Sequence, residues 1–225
     1  MGFDLIDYPD REMLAIDLAN QLAGDLRTAL SHDERAVFSV PGGSSPGPVF
    51  DALCAADLDW DRVDVLLNDE RWVDEDHPRS NTALLRRRLL TEGAADASLL
   101  PLYAPYPAPE GALDLLSPAI EERLPLSVLL LGMGEDGHTA SLFPGADQLT
   151  KALAPEAPPL LAMRAPGAPE PRITLSARVL NGALKKHILI FGAQKRAVLE
   201  AARHADPADM PVRAVLDGAI VHWAE

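Results

Sequence analysis

Cysteine is nearly absent from this sequence. Cys54 stands alone, so no intrachain disulfide can form, and its place between Leu53 and Ala55 reads as a small apolar core position. A reducing, cytoplasmic setting is the expectation. Long apolar runs are also lacking: the purest, 128–131 with its flanks, falls far short of the roughly 18 residues of a membrane span. The first residues carry neither the basic start nor the apolar core of a secretory signal. Positive charge is scarce, with 20 Lys and Arg against 34 Asp and Glu and a formal net charge of −14. That balance excludes a general nucleic-acid or anionic-membrane binder, because both partners require a net positive face. The densest basic block, Arg86-Arg87-Arg88, reads as the solvated side of a helix. The six histidines, His32, His77, His138, His187, His204 and His222, form no H-E-x-x-H pattern and no cluster, so no metal is expected.

What is present is an ordinary globular composition, 48% hydrophobic and 24% charged. A chain of this length buries roughly 70% of the surface it exposes when unfolded, so one domain spanning 1–225 is expected. Leu14, Leu18, Leu22, Leu26 and Leu30 recur every fourth residue after Asp10, the pattern of a long amphipathic helix with an acidic N-cap. The period then changes. Short apolar runs at 36–40, 63–67, 127–131, 187–191 and 219–223 predict strands, and segments 48–56, 81–90 and 194–203 predict helices between them. Strands alternating with helices imply an α/β fold with a mostly parallel sheet covered on both faces. Segments 101–109 and 154–171 are rich in proline and read as surface loops. Pro118 should break or kink a helix over 112–124.

In open parallel sheets, ligands sit beyond the carboxyl ends of the strands. Three segments follow predicted strands: Gly42-Gly43-Ser44-Ser45-Pro46, Asn68-Asp69-Glu70-Arg71-Trp72, and Gly132-Met133-Gly134-Glu135-Asp136-Gly137-His138-Thr139. The first matches the G-x-S-x-G turn of serine hydrolases in Gly43-Ser44-Ser45-Pro46-Gly47. That mechanism needs the backbone N–H after the nucleophile, and Pro46 has none. The third matches G-x-G-x-x-G, but Glu135 and Asp136 would set two carboxylates beside a pyrophosphate, and a helix from His138 would be stopped near Phe143 by Pro144. No nucleotide cofactor is expected.

What survives is chemistry for anions and protons. Gly42, Gly43 and Ser44 supply free amides and a hydroxyl ahead of a helix, suited to a phosphate or simply forming a turn. Asp69-Glu70-Arg71 ends a buried strand with three charges, which implies either a polar cleft or an ion pair of Arg71 with a neighbouring carboxylate. His138 follows a Gly-x-Gly turn and can serve as a proton acceptor near neutral pH or cap a short helix.

The run from Leu131 to Pro144, with Asp69-Glu70-Arg71-Trp72-Val73 and Asp76-His77-Pro78-Arg79-Ser80-Asn81, resembles the signatures of the 6-phosphogluconolactonases. Gly42-Gly43-Ser44-Ser45-Pro46 looks like that family's phosphate loop, Arg172-Ile173-Thr174-Leu175 like its later strand, and Gly192-Ala193-Gln194-Lys195 like the turn bearing its phosphate-binding lysine. Pro41 departs from the serine that many relatives carry. The resemblance covers nearly the whole chain. It implies a Rossmann-like three-layer sandwich shared with glucosamine-6-phosphate deaminases and ribose-5-phosphate isomerases. It also implies cofactor-free hydrolysis of 6-phospho-D-gluconolactone. Expected roles are His138 as general base, Arg71 on developing negative charge, and Asp69 holding Arg71 or substrate hydroxyls. Gly42, Gly43, Ser44, Arg172 and Lys195 would bind the phosphate. Asp136 is expected either at the substrate or orienting His138. The expected partner is a small sugar-phosphate lactone, with the protein a monomer or small homo-oligomer. Deaminases are the nearest rival, but the glutamate they carry after the shared histidine is missing from Thr139-Ala140-Ser141-Leu142-Phe143-Pro144. A sugar-phosphate sensor is the other reading; regulators of this fold carry a DNA-binding helical module, and none is expected here.

Overall fold

Helix α1 (Arg11–Leu30) begins where the Asp10 carboxylate accepts the Met13 N–H at 2.7 Å, satisfying an amide that the first turn leaves unpaired. Its leucine stripe and Ala15, Ala19 and Ala23 are buried. In the computed structural model, which describes residues 2–225, that stripe packs towards β2 (Ala36–Val40), β6 (Val128–Gly132) and β10 (Ile220–Ala224), and alongside α2 (Gly47–Leu53). The remaining strands of the main sheet are β1 (Asp4–Asp7), β3 (Val63–Leu67), β5 (Ser98–Leu100) and β9 (Lys185–Phe191). Every residue of β2 and β3 is buried. Successive side chains point to opposite faces, so both faces are covered.

The main sheet is seven-stranded and parallel, in the order β1-β10-β9-β6-β2-β3-β5. From β2 the chain winds through β3 to β5 at one edge; from β6 it winds through β9 to β10 towards the other. The loops leaving β2 and β6 therefore part company, and a crevice opens at the carboxyl ends of these two central strands. A second sheet, antiparallel, joins β4 (Asp69–Arg71), β8 (Arg172–Leu175) and β7 (Leu160–Met163). Helices α3 (Asn81–Arg88), α4 (Leu113–Glu121), α5 (Leu149–Leu153), α6 (Ala177–Asn181) and α7 (Gly192–Ala202) complete the chain. No helix of the described residues is long and apolar enough to cross a membrane.

Three local expectations change. The proline-rich segment 154–171 is not all surface loop, because Leu160–Met163 is a fully buried strand held against β8; the prolines flank it. Pro118 does not end its helix, which continues to Glu121 because buried Leu116 and Ile120 anchor it on either side, and packing outweighs one lost hydrogen bond. After β6 there is no helix over 138–143 but a tight turn closed by a bridge between Thr139 and Leu142.

Away from the crevice, Asp17, Gln21 and Asp25 form a polar row along α1. They meet Tyr8 and two buried histidines of neighbouring strands. Tyr8 Oη donates to Asp17 Oδ2 at 2.7 Å and lies 3.0 Å from His222 Nδ1. His222 Nε2 lies 3.0 Å from His187 Nδ1, and His187 Nε2 lies 2.8 Å from Asp25 Oδ2. Burial, reinforced by the neighbouring His187 and opposed by Asp17, pulls His222 down to about 3. The unfolded chain binds a proton there near pH 6.5 and the folded chain does not, so stability is fully present above that pH and declines on acidification towards about 3. This group should make the protein about 2 kcal/mol less stable at pH 5 than at pH 7.5. Urea denaturation of wild type and His222→Gln at both pH values measures it: the variant should lose that part of the slope, and an unchanged slope would remove His222 as its source.

Candidate active site

The crevice is a cleft of about 400 Å³ whose walls come from the segments that follow β2, β3, β6 and β9. Gly42, Gly43 and Ser44 form one side, Asp69 and Arg71 the second, His138 the third, and Lys195 on α7 and Arg172 on β8 complete it. Eight of the nine residues expected at the site thus share one opening. Asp136 does not line it.

Glu70 governs how β4 meets this cleft. It is fully buried, and its two oxygens take four donors. Oε1 accepts from the Arg71 and Asn81 backbone N–H groups at 2.7 and 2.8 Å, and Oε2 from Thr82 N–H at 2.7 Å and Ser80 Oγ at 3.1 Å. A carboxylate at the start of α3 satisfies amides that otherwise lack partners and complements the helix dipole. With Glu70 turned inward, its neighbours Asp69 and Arg71 are presented to the cleft, as alternation along a strand requires. Asn81, at the head of α3, donates to the Asp69 carbonyl at 2.9 Å. It packs so closely under Gly42 that a Cβ there would overlap its amide. Helix α3 thereby connects the β2 loop to β4.

Arg71 does not form the ion pair that its acidic neighbours suggested. Its Nη1 donates to the Arg79 carbonyl at 2.6 Å, and its Nε is buried without a partner. Asp69 likewise does not hold Arg71. It faces Arg172, whose Nη1 is 3.6 Å from Asp69 Oδ2. Burial pulls the Arg172 guanidinium below its ordinary value; Asp69 opposes this, and Arg71 and Arg79 add to it. Arg172 Nε is also buried and unpartnered. Both guanidinium groups thus keep a buried Nε–H without a protein acceptor, and both residues line the cleft with a lysine that makes no ion pair among the described residues.

His138 is held on two sides. Its Nδ1 lies 2.5 Å from Asp136 Oδ1, which also accepts the His138 backbone N–H at 3.1 Å. Its ring packs on Phe143, with centroids 4.2 Å apart. A side chain at Gly134 would overlap this imidazole, which explains the glycine. Burial alone would raise the Asp136 carboxyl, but the His138 backbone N–H and ring outweigh it and hold it below the usual range. Asp136 thus contacts the histidine.

The chain matches the family described as glucosamine-6-phosphate isomerases/6-phosphogluconolactonase over residues 9–223. The chain belongs to this family. A 6-phosphogluconolactonase of Pseudomonas aeruginosa is 44% identical over 210 residues, covering 92% of this chain and 88% of its own. One from Rhizobium meliloti is 40% identical over the whole of both chains. The solved structure of a 6-phosphogluconolactonase from Shewanella baltica, 32% identical, matches with a TM-score of 0.95 over 99% of this chain and 98% of its own.

Residues around this cleft that the sequence did not mark as candidate site residues are Glu70, Asn81, Ser141 and Phe143. Ser80-Asn81 ahead of a helix is a recognisable N-cap pattern, and the Ser80 hydroxyl does accept the Ala83 N–H at 3.1 Å. Glu70 stood out only as one of three charges at a strand end, and nothing local marks what Ser141 or Phe143 touches. Glu70→Ala should cost about 3 kcal/mol or more, because three backbone donors lose their acceptor at once. Glu70→Gln should cost less, and equilibrium denaturation distinguishes them; an Ala variant as stable as wild type would contradict this role.

Proposed function

We propose that the chain hydrolyses 6-phospho-D-glucono-1,5-lactone to 6-phospho-D-gluconate, the lactone-opening step of the oxidative pentose phosphate pathway. The observation that carries this reading is one cleft combining a carboxylate-held imidazole, three cations and a loop of free amides. Full-length relatives named for this activity support it.

The carboxylate of Asp136 accepts the Nδ1 proton of His138, so the Nε2 lone pair is free to act as a base. Neutral His138 takes a proton from a water molecule as the water oxygen attacks the lactone carbonyl. The bond from that carbon to the ring oxygen then breaks, and the imidazolium returns its proton to the departing oxygen. Asp136 stabilises the imidazolium between the two transfers. Because its carboxyl is lowered, the pair persists on acidification and is lost only below the usual carboxylate range. Arg71 stabilises negative charge on the carbonyl oxygen. The amides of Gly42, Gly43 and Ser44, with Lys195 and Arg172, grip the phosphate, and Asp69 receives a substrate hydroxyl. Binding energy from the phosphate, which takes no part in the reaction, holds the carbonyl against the water.

His138→Ala should lower kcat roughly a hundredfold or more after correction for spontaneous hydrolysis. Asp136→Asn should lose more than Asp136→Ala, because an amide can donate to Nδ1 and drive the ring proton onto Nε2. Both Asp136 variants should leave KM within about threefold; a large rise in KM with kcat intact would return Asp136 to substrate contact. Offered fresh lactone and, separately, glucosamine 6-phosphate, the purified protein should release acid from the first and no ammonia from the second. The reverse result would replace this reading with a deaminase.

A further inference from the structure

Ser141 is fully buried three residues beyond His138, and it links the histidine-bearing turn to both strands opposite. Its backbone N–H donates to Thr174 Oγ1 on β8 at 3.2 Å, and its hydroxyl donates to Asp69 Oδ2 on β4 at 2.5 Å. The residue before it, Ala140, sits at φ 49°, a left-handed conformation that costs a side-chain-bearing residue on the order of 1 kcal/mol. That bend turns the chain back so that Ser141 reaches Asp69.

The same Asp69 oxygen is the one nearest Arg172, yet at 3.6 Å the approach is too long for a hydrogen bond. A buried arginine beside a carboxylate ordinarily closes into a two-point fork. Here Arg172 keeps an unpartnered Nε, its guanidinium lies 5.6 Å over the Phe143 ring, and the carboxylate oxygen nearest it is drawn towards the serine hydroxyl it accepts from.

We propose that Ser141 is a positioning residue: it holds Asp69 off Arg172, so that the guanidinium stays available to an anionic oxygen of the substrate and the second Asp69 oxygen to a hydroxyl. This rests on the lactonase reading above and assigns a role to a side chain that itself faces away from solvent. Without the hydroxyl, Asp69 loses its short partner and closes on Arg172, neutralising one of the cations that bind the phosphate.

The test is a double-mutant cycle read by calorimetric binding of the product, 6-phospho-D-gluconate, to the full chain. Ser141→Ala should weaken binding about tenfold, the usual scale for a hydrogen-bonded charge withdrawn from a ligand. In an Asp69→Asn background, where no carboxylate remains to capture Arg172, the same change should alter affinity less than about twofold. A purely structural role for Ser141 would lower affinity equally in both backgrounds, and that result, or wild-type affinity in Ser141→Ala, overturns the proposal. Thermal melts of all four proteins establish that they are folded. If wild type hydrolyses no lactone, the function itself is wrong, and inorganic phosphate then serves as probe with the same pattern of affinities expected.

Discussion

The architecture depends on one buried amide. Asn68 follows the last residue of β3 and is fully buried. Its side chain accepts from Ser39 Oγ on β2 at 2.6 Å and donates to the Leu130 carbonyl on β6 at 2.8 Å. Its backbone donates to the Val40 carbonyl and accepts from Leu175 N–H. Strands β2 and β6 are the pair from which the chain winds in opposite directions, so this residue clasps the sheet where the crevice opens. It is also where the chain leaves the parallel sheet for the antiparallel one. An unpaired amide there would be expensive; fully satisfied, it fixes the floor of the cleft, and the next three residues supply Asp69, Glu70 and Arg71.

From that floor the charges sort by orientation. Glu70 points inward and is consumed by the start of α3, while Asp69 and Arg71 point to the cleft. Much of the protein's positive charge is spent on partners elsewhere: Asp64 alone takes Arg35 at 2.7 Å and Arg123 at 3.2 Å. Arg71, Arg172 and Lys195 line the cleft instead, and among the described residues only Arg172 of the three lies within 4.0 Å of a carboxylate. A net charge of −14 and an anionic substrate are therefore compatible. The total describes the whole surface, whereas binding depends on the local field of a few cations against low-dielectric walls.

Much of this was legible residue by residue. The leucines of α1 and the apolar runs of the central strands announced themselves through period, and the glycine-rich and charged segments after them fell at strand ends. The strand 160–163 was hidden by its flanking prolines, because composition averages over exactly the length that a four-residue strand occupies. The turn after β6 read as a possible short helix because Thr139 and Leu142 pair with each other only once the chain bends at Ala140. Asp136 and His138 are close enough in sequence for contact to be conceivable, but two residues apart in a turn can point either way. The roles of Ser141 and Glu70 were not legible, since their partners lie 72 and up to 12 residues away.

By itself, then, the sequence determined the alternation of strands and helices, the absence of a disulfide framework, and most of the polar groups that line the cleft, because these follow from periodicity and side-chain chemistry. Only the tertiary structure decided which groups meet. It gave Asp69 to Ser141 and Arg172 instead of Arg71, turned Asp136 onto His138, and left two guanidinium N–H groups without protein acceptors. Those outcomes depend on directions at the ends of strands that are distant in the chain, and such directions are set by the register and packing of the whole sheet.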